Sequence, residues 1–125
     1  LFEVTDTSNH GLYRPAHFYH GLPYRRFADT INANNGFIQY WDTLAEAPYA
    51  FNADRKLLAT YDNNESIKLK TEYVIKKKLN GVMFWQLGED TFTNGLLNVI
   101  DEVKKEEDKY IDKQGESETL NKTKM

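Results

Sequence analysis

At 125 residues, 40% hydrophobic and 28% charged, the chain has the size and composition of one globular domain with a modest core. A net charge of -3 and a pI near 5.6 leave no basic footprint for nucleic acid. No run approaches the roughly 18 apolar residues of a membrane helix, Leu1-Phe2-Glu3-Val4-Thr5 is not a signal peptide, and the absence of cysteine removes disulfide and thiol chemistry. Aromatic residues make up 14% of the chain and many precede Asp62. That density suits packed β structure, and it can also supply flat platforms for the rings of a ligand.

In chain order, Leu1 to Thr5 alternates as a half-buried strand does, and Asp6 to Gly11 reads as a polar loop. The chain opens inside this strand without an initiator methionine, which points to a native polypeptide that extends upstream. Pro23 suits a first helical turn, and Tyr24, Phe27 and Ile31 then share one face of a helix stopped by Asn34-Asn35-Gly36. Three strands are predicted over 37–42, 49–51 and 56–61, with Asn52 to Arg55 as a hairpin loop and antiparallel pairing throughout.

Beyond Tyr61 the pattern becomes helical. Asp62 to Ser66 offers several caps for a helix from Ser66 to Leu79, which carries Ile67, Tyr73 and Val74 on one side and Lys76-Lys77-Lys78 at its end. Asn80-Gly81 ends it, and Val82 to Trp85 reads as a short buried strand. A last helix starts near Gly95, with Leu96, Ile100 and Val103 on one stripe. Helix, buried strand, helix is the signature of an α/β unit with a parallel strand, and Trp85 falls at the C-terminal tip, where such folds place ligands. Asp112 to Met125 is polar and is expected to fray or be disordered.

Other residue clusters favour structural roles. His10, His17 and His20 match no metal-ligand spacing and have no cysteine or acidic companions. Glu89-Asp90 resembles a catalytic pair, but adjacent acids before a helix commonly serve its positive N-terminus, and Asp90 is assigned that role. The mixed charges from Asp101 to Lys113 fit a solvated helix face.

One ordered set of residues carries a resemblance. Tyr61-Asp62, Ser66-Ile67-x-x-Lys70-x-x-Tyr73, Gly81-Val82-Met83-Phe84-Trp85-x-x-x-x-Asp90 and Gly95-Leu96-Leu97 follow one another as in the C-terminal end of family 18 glycoside hydrolases. These are the chitinases and their chitinase-like relatives. Trp41-Asp42 and Ala47-Pro48-Tyr49 are similar to the end of the insertion domain of that family. The resemblance runs over residues 1–102 and is most specific in 61–97.

It implies an α+β chain. Residues 1–62 would be the antiparallel insertion-domain sheet with its helix. Residues 63–111 would be the helix-strand-helix end of an incomplete (β/α)8 TIM barrel, and 112–125 a disordered tail. The tryptophan matching Trp85 forms the hydrophobic floor under the sugar at the cleavage point, and Trp41 is placed near the groove wall. Gln86 stands where the family often has glutamate, which keeps hydrogen bonding but removes a charge.

The family's Asp-x-Asp-x-Glu array, which supplies the acid for substrate-assisted hydrolysis, does not occur in this sequence. A closed barrel also needs on the order of 250 residues. The expectation is therefore one part of a chitinase acting on β-1,4-linked N-acetylglucosamine polymers. Trp85 and Trp41 would bind substrate, and the chain would hold no catalytic acid, metal or cofactor. Its partners would be chitin or chito-oligosaccharide and the N-terminal part of the barrel, and its setting secreted or periplasmic. A non-catalytic chitin-binding lectin and an inactive structural fragment are the alternatives.

Overall fold

The computed structural model describes the backbone of residues 1–123 and the side chains of 1–111 and 113. Five strands form one antiparallel sheet: β1 (Phe2–Val4), β2 (Ala16–Phe18), β3 (Ile38–Asp42), β4 (Ala47–Asn52) and β5 (Leu57–Thr60). Their spatial order is β2-β1-β5-β4-β3. The register pairs Ile38 with Phe51, Phe51 with Leu58, and Leu58 with Phe2, so one continuous row crosses four strands.

Alternation sends the two sides of these strands into two small cores. On one face Ile31, Phe37, Ala50, Leu57 and Ala59 are buried, with Leu1, Leu22, Phe27 and Tyr61 packed against them. On the other face Val4, Tyr49, Phe51 and Leu58 meet Leu12 and Tyr40. The β4–β5 connection forms as expected: the Asn52 carboxamide oxygen accepts from the Arg55 amide at 2.9 Å and holds the turn. The Asn52 side chain also donates to the Asn35 carbonyl at 2.9 Å. Gly36 lies close by with φ +80, where an added Cβ would come within 3.0 Å of that amide nitrogen.

The helix expected over Tyr24–Ile31 is shorter and divided. A 3-10 turn, Tyr24–Arg26, runs into α1 (Phe27–Thr30), a single α-helical turn. Tyr24 and Phe27 still stack, with centroids 5.9 Å apart, and Phe27 and Ile31 still face the sheet. Strand β2 has no counterpart among the predicted elements; it pairs with β1 through Phe2–Phe18, Glu3–His17 and Val4–Ala16.

Helix α2 (Asn64–Lys76) begins at a reciprocal cap. The Asn63 side chain accepts from the Ser66 amide at 2.9 Å, and the Ser66 hydroxyl accepts from the Asn63 amide at 3.0 Å. Helix α3 (Leu96–Thr123) packs against α2.

One expectation is corrected. Val82 to Trp85 is neither a strand nor buried: its backbone joins no ladder, and Met83 and Trp85 are both 85% exposed. A buried parallel strand needs a neighbour on each side to take its backbone groups, and every strand pair described here is antiparallel. Helix α3 continues through Asp112 to Thr123. Lys, Glu, Gln and Leu are good helix formers, so a polar composition need not end a helix already begun. Residues 124 and 125 lie outside the described residues.

Candidate functional site

A cavity of about 430 Å³ opens between the sheet, the start of α2, the start of α3 and the 82–90 segment. Tyr24, Phe27 and Tyr61 form an aromatic wall, with the Phe27 and Tyr61 centroids 4.3 Å apart. Asp62, Ile67 and Lys70 come from the α2 end, and Leu96 and Ile100 from α3. Trp85 stands at the margin, included in the lining yet largely open to solvent. The peptide between Trp85 and Gln86 is cis.

The polar residues are held by local bonds. The Lys70 ammonium donates to both Asp62 carboxylate oxygens, at 2.7 and 2.9 Å, and the Ser66 hydroxyl donates to one of them at 2.8 Å. The Gln86 side-chain amide donates to the Glu89 carboxylate at 3.2 Å. Asp90 accepts from the amides of Thr91, Leu96 and Leu97, at 2.8, 3.0 and 3.0 Å. It thereby takes up orphan donors at the start of α3, the role its position suggests. Each acid is thus engaged by its neighbours, and the site presents aromatic and aliphatic surface.

Tyr61 is the exception among the polar groups. Its hydroxyl is buried without a hydrogen-bond partner. Burial, and then the neighbouring Tyr24, push its pKa up to about 12. The fold therefore prefers the neutral phenol. The stability this contributes is complete below the unfolded value of about 10 and is lost as pH rises through the folded value. Tyr61→Phe is expected to leave stability at pH 7 unchanged or slightly raised, because an unpaired hydroxyl is removed. It should also flatten the loss of stability from about pH 10 upward. Urea unfolding of both proteins at neutral and alkaline pH checks this; a large loss at pH 7 in the variant would contradict it.

The two tryptophans named from the sequence do not share this wall. Trp41 lies half-buried on β3, one of the two edge strands, opposite Pro48, and is absent from the cavity lining. Its neighbour Asp42 accepts a hydrogen bond from the Tyr13 hydroxyl. His10 stacks on Tyr40 at 4.1 Å, and His17 sits on β2 opposite Glu3. Tyr24 and Tyr61 were not named as site residues. The face shared by Tyr24, Phe27 and Ile31 could have pointed to the first, and the Tyr61-Asp62 pair to the second.

Comparison with known proteins points to one glycosyl hydrolase family. The model of glycosyl hydrolases family 18 matches residues 3–90. Chitinase B of Serratia marcescens is 37% identical over 78 residues, covering 62% of this chain and 16% of its own length. Chitinase A1 of Niallia circulans is 44% identical over 63 residues, covering 50% and 9%. Among solved structures, chitinase ChiA74 from Bacillus thuringiensis superimposes with a TM-score of 0.71 at 29% identity, over 82% of this chain and 21% of its own. A family 18 N-acetylglucosaminidase from Paenibacillus barengoltzii gives 0.70 at 36% identity, over 82% and 30%. The chain therefore spans less than a fifth of these two curated relatives.

Proposed function

Because the chain belongs to the glycosyl hydrolases of family 18, we propose that it is one part of a hydrolase acting on β-1,4-linked N-acetylglucosamine polymers. In this reading residues 63–111 contribute the last helices of a (β/α)8 barrel, Val82 to Trp85 becomes its last strand only where the rest of the barrel supplies parallel neighbours, and residues 1–62 are the insertion domain beside its mouth. Trp85 forms the floor on which a sugar rests, and Trp41 stands near the groove wall. The whole enzyme would work outside the cytoplasm, secreted or periplasmic.

The observation that carries the reading is the exposed indole of Trp85 at the margin of an aromatic-walled cavity. A pyranose has apolar C–H faces, and an indole offers the largest flat side-chain surface to receive one. The exposure of Met83 two residues before it also supports the reading, since a barrel strand sends such a side chain into the barrel interior or under the outer helices.

Chemistry and platform are divided. The sequence holds no Asp-x-Asp-x-Glu array, and the acids of the cavity are tied to Lys70, Gln86 and the start of α3. The chain on its own is therefore expected to bring no general acid to a glycosidic bond. Incubation of the purified chain with chitotetraose, followed by product chromatography, should show no turnover. Sustained release of shorter sugars would refute this division.

A further inference from the structure

Asparagine is followed by glycine at Asn35-Gly36, Asn80-Gly81 and Asn94-Gly95, and the fold holds these pairs differently. In the first, the Asn35 side-chain amide donates to the Asp29 and Thr30 carbonyls, at 2.9 and 3.1 Å. The Gly36 amide donates to the Ala33 carbonyl at 3.0 Å. In the last, Gly95 is buried and its amide donates to the Asn98 side-chain oxygen at 3.0 Å. Asn80-Gly81 has neither restraint. The amides of Lys78 and Leu79 close the end of α2 onto the Ile75 and Val74 carbonyls, and the next backbone amide with a backbone acceptor is that of Glu89. Among the described residues, no hydrogen bond engages the Asn80 side chain or the Gly81 amide. Both residues are exposed, and a Cβ built on Gly81 would meet nothing within 4 Å.

We propose that the fold leaves Asn80 as a site of spontaneous deamidation and isoaspartate formation. The Gly81 amide nitrogen attacks Cγ of Asn80, the new N–Cγ bond closes a succinimide ring, and ammonia leaves with the amide proton. Water then opens the ring. Attack at Cγ gives aspartate in the ordinary chain, whereas attack at the main-chain carbonyl gives isoaspartate, with the chain routed through Cβ and Cγ. No oxidant or reductant enters. Ring closure needs a glycine nitrogen free of other bonds and a backbone able to turn toward the asparagine side chain. Gly81 presents no Cβ to obstruct that approach. At Asn35 and Asn94 the existing bonds must open first. The product gains a negative charge, and isoaspartate adds a methylene to the main chain ahead of Val82. Under the sugar-platform reading, that extra carbon displaces the run leading to Trp85; the modification itself does not rest on that reading.

The whole chain is incubated in mildly alkaline buffer, and amide loss at each asparagine is followed by peptide mapping. Electron-transfer fragmentation separates aspartate from isoaspartate. Asn80 is expected to convert at least about tenfold faster than Asn35 or Asn94, whose bonds hold back opening. In concentrated urea the rates should draw together, because the same residue pair then reacts without the fold. Asn80→Gln, whose longer side chain closes the ring far more slowly, should abolish the fast reaction and leave the urea midpoint unchanged. Equal rates at the three sites in the folded chain, or a faster reaction at Asn35 or Asn94, would overturn the proposal. So would a preference for Asn80 that persists undiminished in urea, since sequence rather than fold would then be its source. No sugar takes part, so the hydrolase reading stands or falls separately.

Discussion

Truncating Phe37 to alanine is expected to cost about 3–5 kcal/mol of unfolding free energy. Phe37 is 2% exposed and fills the space between Ile31, Ala50, Leu57 and Ala59. Ala50 on β4 and Ala59 on β5 are too small to swell into the void, so the lost burial is joined by the cost of a cavity. A domain of this size holds roughly 5–15 kcal/mol in total, so the variant should lie near the edge of folding. The adjacent Ile38 provides the contrast: it is 60% exposed, and its truncation should shift stability by less than about 0.5 kcal/mol. Urea titrations of both variants, with unchanged slopes, check the pair. Equal losses at the two positions would contradict the assigned register and the location of the core.

The second large effect belongs to Asp90. Its carboxylate takes three backbone amides that would otherwise be unpaired near the start of α3. Asp90→Ala should therefore cost about 2 kcal/mol, and Asp90→Asn, with one acceptor oxygen left, distinctly less. The close approach is possible because residue 95 is glycine: an added Cβ would lie 2.6 Å from both carboxylate oxygens. Gly95→Ala should push the carboxylate away and reproduce much of the loss. Thermal unfolding followed by circular dichroism measures all three variants. An Asp90→Ala protein as stable as its parent would show that solvent replaces the carboxylate without cost.

Much of the fold could be read from local chemistry. The strands around Phe37, Tyr49 and Leu58 are short apolar and aromatic runs between turn residues, and Asn52 to Arg55 has the residues a hairpin turn needs. The start of α2 was legible as a capping region, although several residues there could serve, and the structure selects Asn63. Strand β2 was not legible: Ala16-His17-Phe18 is exposed throughout and has no buried face to create a pattern. It exists because β1 offers it an edge.

The Val82–Trp85 segment failed for the opposite reason. Its sequence carries a strong apolar signal, but a parallel strand is made by its neighbours, and hydrophobicity alone cannot supply them. The cavity was partly legible. Trp85 could be singled out from its place at the end of an apolar run, and Asp90 from its place before a helix. Tyr61 was less accessible, because whether a tyrosine at a strand end packs, bonds or stays unpaired depends on residues distant in sequence. Trp41 was named from its resemblance to the insertion domain, and its strand lies at the outer edge of the sheet.

The central proposal is that Trp85 carries a sugar at the mouth of a hydrolase barrel, and a graft tests it most directly. The C-terminal segment of an active family 18 hydrolase is replaced by residues 1–111 of this chain, and kcat/KM is measured on chitotetraose with Trp85 and with Trp85→Ala. The expected result is measurable turnover by the first protein and a loss of at least about tenfold in the second, in keeping with an indole that is the main contact surface. A folded graft that cleaves the substrate equally well with alanine at position 85 would contradict the proposal.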